Sequence, residues 1–174
     1  MSLIKIIPLN FSRLDELEGI RQIIESRFKT DCLIKPYQVD LSQFFDPVRS
    51  QYNANQIIEQ LNPLVNENCK IIGVTDLDIY IPVLSYIFGQ AYLGGSTALV
   101  SGYRLDNRKY GLEDDPRLFH DRLLKCMLHE LGHAFGLKHC LQPGCLMVSA
   151  TYVEDMDQKG DLFCIDCQQA LRGQ

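Results

Sequence analysis

The chain of 174 residues has no excess of positive charge: 17 lysines and arginines stand against 22 aspartates and glutamates, a net charge of −5. That balance offers no clustered basic face of the kind nucleic-acid binders carry, so no nucleic-acid partner is expected. A long apolar run is missing too. The longest uncharged stretches, such as residues 79–103, are broken by Pro82, Gly89, Gly94 and Gly95, which does not suit a membrane helix. The opening Met-Ser-Leu-Ile-Lys-Ile-Ile-Pro is too short in apolar residues for a secretory signal, and the expected location is the cytoplasm. Internal repeats, low-complexity tracts and linkers are lacking as well. Length over about 150 then gives one compact unit, residues 1–174.

Core material is plentiful. Hydrophobic residues make up 46% of the chain, enough to build an interior without a staple. Leu3 to Pro8 reads as a strand, and Ser12 as the cap of a helix in which Leu14, Leu17, Ile20, Ile24 and Phe28 recur at helical spacing. Cys32 to Val39 is a second strand. Asn53 to Glu67 is a second helix, with Ile57, Ile58, Leu61 and Val65 on one side and Pro63 as a source of a kink. Lys70 to Thr75 completes a β-α-β-α-β pattern, the signature of a parallel sheet covered by helices. Tyr86 to Leu93 and Ser96 to Leu105 are strand-like and separated by Gly94-Gly95, which permits a tight hairpin, so one strand runs antiparallel. No lysine and no helix follow those glycines, which argues against a phosphate cradle. Asp115 and Pro116 open a long helix reaching about Phe135 or Gly136, and Asp161 to Leu171 is a closing helix.

Histidine is scarce, four in all, and three of them fall in His129-Glu130-Leu131-Gly132-His133-Ala134-Phe135-Gly136-Leu137-Lys138-His139. Residues i and i+4 of a helix sit one above the other, so His129 and His133 can offer two imidazole nitrogens to one zinc ion. Gly136 can take a positive φ that lets the chain leave the helix and return His139 to the same ion. Three neutral imidazoles leave a fourth position open to water, the mark of a catalytic rather than a structural zinc. Glu130 is placed to take a proton from that water as general base and to give it to the departing amine. By composition alone the full motif arises about once in 10⁵ chains of this kind, which sets aside the reading of three unrelated histidines. His120 has no such company and reads as an ordinary helix residue.

Seven cysteines are many for a reducing compartment. Cys32, Cys69 and Cys126 lie singly and read as core thiols. Cys140, Cys145, Cys164 and Cys167 form C-x4-C-x18-C-x2-C, two close pairs that suit one tetrahedral ion. Four thiolates leave no place for water, so such a site is structural and its metal binding is part of folding. Neighbours in an extended backbone face opposite ways, so His139 and Cys140 can serve different ions. The rival for Cys164-Ile165-Asp166-Cys167 is a redox dithiol, which usually sits early in a thioredoxin-like unit rather than near the C-terminus. Asp76 and Asp78, after the third strand, read as a turn or solvated rim rather than a calcium site.

The run H-E-x-x-H-x-x-G-x-x-H-C-x4-C-x-M-x16-C-x-x-C resembles the archaemetzincins, a branch of the metzincin zinc peptidases. Phe88-Gly89-Gln90-Ala91 and Ser101-Gly102-Tyr103-Arg104-Leu105 look like that family too. The spacing from Met147 to Cys164 is one residue shorter than the family's, a loop change that leaves the ligand set intact. The resemblance implies a catalytic zinc on His129, His133 and His139, Glu130 as general base, and Met147 as the methionine of the turn under the metal. It also implies a structural zinc on Cys140, Cys145, Cys164 and Cys167, hence two zinc ions per chain. Some metzincins carry a tyrosine two residues after that methionine; here it is Ser149, and neither it nor the nearby Tyr152 is given a catalytic role.

The expected fold is therefore metzincin-like α/β, becoming α+β at the C-terminus. A mixed five-stranded twisted sheet with one antiparallel strand and packed helices forms an upper part over about residues 1–136. The long active-site helix is the cleft floor, and a zinc-stapled segment over about 137–174 is the lower part. The antiparallel strand would edge the cleft and receive an extended peptide by strand addition. Secreted metzincins commonly carry an inhibitory pro-segment, for which a first strand at Leu3 leaves no room. The expected function is a zinc metallopeptidase acting on peptides or proteins with no membrane partner; the sequence does not fix the oligomeric state, and a monomer is assumed. The competing readings are a non-peptidase zinc amide hydrolase and a zinc-stabilised binding protein without catalysis.

Overall fold

A computed structural model describes residues 3–66 and 68–173. Five strands form the main sheet: β1 (Leu3–Pro8), β2 (Asp31–Ile34), β5 (Cys69–Thr75), β7 (Gly89–Ala91) and β8 (Thr97–Ser101), in the order β2-β1-β5-β8-β7. All pair parallel except β7, which runs antiparallel to β8 with Gly89 opposite Val100 and Ala91 opposite Ala98. The mixed sheet with a single antiparallel edge strand is thus as the sequence implies. A second sheet was not foreseen: β3 (Phe45–Asp46), β4 (Gln51–Asn53) and β6 (Ile79–Tyr80) form three very short strands in the order β3-β4-β6.

Side-chain alternation along the strands divides the core in two. Ile4, Ile6, Ile72, Val74, Ala98 and Val100 point to the face covered by α1 (Leu14–Phe28) and α3 (Pro116–Ala134). Ile7, Ile71 and Leu99 point to the opposite face, where α2 (Ala54–Leu61) packs with Ile57, Ile58 and Leu61. Helices on both faces of a largely parallel sheet satisfy the burial that such a sheet demands.

Several boundaries differ from the sequence reading, each for a local reason. Ser12 does not cap α1: its N–H and hydroxyl both go to the Asp76 carboxylate, at 2.7 and 2.6 Å, and the helix starts after Arg13. Pro63 ends the second helix rather than kinking it, and Asn62–Leu64 tighten into a 3₁₀ turn. The reading of that helix as far as Glu67 reaches a position outside the described residues. The second strand stops at Ile34, two residues before Pro36, which has no N–H to give. The hairpin strands shorten to 89–91 and 97–101, and Tyr103–Leu105 is a 3₁₀ turn. Asp115 does cap α3, accepting from Leu118 N at 3.0 Å, with Pro116 in the first turn. Beyond α3 lie α4 (Val153–Gln158), absent from the sequence reading, and α5 (Ile165–Arg172). Among the described residues no helix is long and apolar enough to cross a membrane.

Candidate active site and metal centres

The last turns of α3 carry His129 and His133 on one side, as i,i+4 spacing dictates. Their Nε2 atoms lie 3.1 Å apart. His129 Nδ1 is 2.9 Å from Leu146 O and His133 Nδ1 is 2.7 Å from Leu137 O. A carbonyl oxygen only accepts, so each Nδ1 holds the ring proton and each Nε2 presents a lone pair. Two lone pairs facing at 3.1 Å call for a cation between them, and neutral imidazole is what zinc takes. The helix ends at Phe135, Gly136 adopts φ +85°, and Leu137 N returns to Gly132 O at 2.8 Å. This reversal brings the His139 ring within 5.3 Å of His129 and 4.8 Å of His133, centroid to centroid. The donor atoms of His129, His133 and His139 all lie within 4.8 Å of one another, a group that could hold a metal ion. Burial holds all three imidazoles below their ordinary pKa, which favours the neutral form a ligand needs.

Glu130 is buried beside them and lines the same cavity of about 480 Å³. Burial pushes its carboxyl up to about 8, against the opposing pull of the Lys159 ammonium. Met147 packs beneath this turn of α3, so close that a Cβ at Gly132 would stand 2.6 Å from its sulfur. Ser149 and Tyr152 line the cavity, Tyr152 largely exposed.

The second group is Cys140, Cys145, Cys164 and Cys167, whose sulfurs also lie within 4.8 Å of one another and could hold an ion. Cys140 and Cys164 are 3.8 Å apart at sulfur, as are Cys145 and Cys167, and all four are free thiols. Cys140 N donates to Met147 O at 2.9 Å, tying this cluster to the turn under the histidines. The remaining candidates fall elsewhere. His120 Nδ1 pairs with Glu16, Cys32, Cys69 and Cys126 are buried, Asp76 serves Ser12, and Asp78 takes Arg104 and Gln51.

Three residues in and around the cleft gave no signal in the sequence. Lys159 is buried behind His129, its Nζ 3.1 Å from Val148 O and 3.3 Å from His129 Nδ1. Arg122, on the far side of α3, grips α4 through two hydrogen bonds to Asp157 at 2.6 and 2.7 Å. Tyr86 spans the cleft to Thr151 O at 2.9 Å. Each acts on a partner distant in sequence, so no local pattern announces it.

Residues 11–173 match the family model described as peptidase family M54. The chain belongs to peptidase family M54. Among relatives, this M54 chain is 37% identical over 128 residues to the archaemetzincin of Methanopyrus kandleri, covering 74% of this chain and 70% of that one. It is 32% identical over 172 residues to the archaemetzincin of Haloquadratum walsbyi, covering 97% and 99%. The archaemetzincin resemblance read from the motif is thereby shown for nearly the whole chain. Among solved structures, a zinc-dependent peptidase from Methanocorpusculum labreanum superposes with a TM-score of 0.88 at 28% identity, covering 97% of this M54 chain and 99% of that one. The archaemetzincin of Archaeoglobus fulgidus complexed with malonate gives 0.82 at 30% identity, covering 97% and 99%.

Proposed function

We propose that this M54 peptidase hydrolyses peptide bonds with zinc held by His129, His133 and His139 and Glu130 as general base. The convergence of three imidazoles beside one buried carboxylate carries the reading. The solved relative described as a zinc-dependent peptidase supports zinc as the metal. When bound there, zinc supplies Lewis-acid polarisation of the peptide carbonyl and lowers the pKa of a neighbouring water. Glu130 takes a proton from the attacking water as its oxygen bonds to the carbonyl carbon. It returns that proton to the nitrogen as the carbon–nitrogen bond breaks. Lys159 counters the effect of burial on Glu130 and so favours the carboxylate form that accepts the first proton. Leu146 O and Leu137 O hold the histidine rings in the ligating tautomer.

Cys140, Cys145, Cys164 and Cys167 hold a second, structural zinc in this reading, giving two ions per chain, with Met147 as the supporting methionine of the turn. Residues of about 1–136 form the upper wall and about 137–174 the lower, within a single unit of 1–174. An extended peptide or protein segment adds to the free edge of β7 above Glu130. In this reading the enzyme acts as a cytoplasmic monomer without a membrane partner, and the net charge of −5 supports the absence of a nucleic-acid partner.

The test is Glu130→Gln measured with metal analysis. Zinc retained with peptide hydrolysis reduced by at least about 10³-fold is the expected result. Hydrolysis at the unaltered rate, or no cleavage of any peptide by the zinc-loaded wild type, overturns it.

A further inference from the structure

Two contacts bridge one end of the cleft. Phe88 O accepts from Ser101 N at 2.8 Å, so the peptide groups of residues 88 and 90 point to β8. Alternation in an antiparallel pair then turns those of 87, 89 and 91 outward, to the edge of the sheet. At Ile87 that edge is taken, because its N–H donates to Ile79 O at 3.1 Å. Strand β6 of the small sheet thus caps β7 two residues before Gly89, leaving Gly89 and Ala91 to a peptide. One residue further back, the Tyr86 hydroxyl reaches Thr151 O at 2.9 Å and bridges the two walls. Its ring is braced on several sides. The Arg104 guanidinium lies 4.1 Å from the ring centroid, Phe88 meets it edge-on at 5.8 Å, and Asp78 fixes Arg104 through two 2.7 Å hydrogen bonds. Tyr86 and Thr151 line the same cavity as His129 and Glu130.

Glu130 packs against Gly89, so the scissile bond belongs at that point of the edge. Antiparallel addition, the more stable pairing, sends the C-terminal half of a peptide from Gly89 toward Ile87 and Tyr86. We propose that Tyr86 determines specificity by length: its bridge to Thr151 and the β6 cap are an end wall that admits about two residues beyond the scissile bond, at ~3.3 Å per residue. The preferred substrates are peptides cut one or two residues from their C-terminus. This rests on the peptidase reading above.

The experiment uses zinc-loaded full-length protein and two peptide series, one extended stepwise at the C-terminal side of the cut and one at the N-terminal side. Wild type should cut peptides with one or two C-terminal residues beyond the scissile bond about tenfold more efficiently in kcat/KM than those with six, the loss of roughly one strand hydrogen bond. N-terminal extension should cost nothing comparable. Tyr86→Ala should bring the C-terminal ratio toward one, and Tyr86→Phe, which keeps the braced ring but loses the bridge, should lie between. Fluorescence anisotropy of the same labelled peptides on Glu130→Gln reads the same preference as binding, whether or not anything is cut. Indifference to C-terminal length, or a penalty on N-terminal extension instead, overturns the end wall and leaves the peptidase reading standing. Absence of all cleavage with length-dependent binding retained overturns the peptidase reading alone.

Discussion

Gly89 and Glu130 touch across the cleft: a Cβ added at position 89 would stand 2.6 Å from Glu130 Cγ and 2.8 Å from its Oε1. The glycine at this point of the edge strand gives the carboxylate its space. Gly89→Ala should displace Glu130 by a fraction of an ångström to an ångström, lowering kcat about 100-fold while the melting temperature changes little. An unaltered kcat would show that the carboxylate has no fixed position to lose.

Glu130 also sets a pH dependence that can be read without turnover. In protein stripped of metal its carboxyl is raised to about 8 from an ordinary 4.5. Between those values the folded state binds the extra proton, so this group's contribution to stability falls as pH rises from about 4.5 to 8 and is level beyond. Glu130→Gln should remove that slope. Melting curves of chelator-treated wild type and variant should therefore diverge in favour of the variant as pH rises from 5 to 9. The histidines titrate in both proteins and cancel in the difference; parallel curves would contradict the assignment.

The lower wall depends on a buried cation. Arg122, 5% exposed at its side chain, holds Asp157 of α4. Asp157→Asn should cost about 2–3 kcal/mol in denaturant unfolding, since the guanidinium stays buried with only Leu105 O and Asn107 Oδ1 left. A cost below about 0.5 kcal/mol would mean the pair behaves as a solvated surface contact.

Under the histidines, Gly132 leaves room for Met147, and a Cβ there would meet Met147 Sδ at 2.6 Å and Cε at 3.2 Å. Gly132→Ala should destabilise by about 1–3 kcal/mol despite the better helix propensity of alanine. Thermal melts decide it, and a gain in stability would show that the methionine moves aside freely.

The cysteine cluster should govern the histidine site at a distance. Replacing Cys145 or Cys167 by serine is expected to lower bound zinc from the proposed two per chain and reduce activity by loosening the segment that carries His139 and Met147. Elemental analysis and activity on the same preparation test this together; normal catalytic zinc and normal activity in either variant would separate the two sites.

What could be read from the sequence was what repeats locally. The 3.6-residue period placed α3, the i,i+4 histidines shared its face, and Gly136 supplied the reversal that returns His139. Five strands were legible because their apolar runs were bounded by turn residues. The small sheet was not, since strands of two or three residues such as Phe45–Asp46 and Ile79–Tyr80 are too short to show a period of two. The six-residue helix α4 buries only the pair Val153 and Met156, too few to show a period, and is held as well by Arg122 and by Lys125 Nζ, 3.0 Å from Met156 O. Ser12 looked like a cap and instead found Asp76, a partner 64 positions away that outcompeted the local amide.

The capping of β7 by Ile79 also bears on solubility. A sheet margin with unpaired amide and carbonyl groups invites a second copy of the same chain to zip alongside. Here Ile79 interrupts that margin, and the stretch that faces outward beyond it is only Gly89 to Ala91. Three residues fall below the length of a typical strand, about five or six residues. Molecules at high concentration should therefore resist fibril-like stacking along this border.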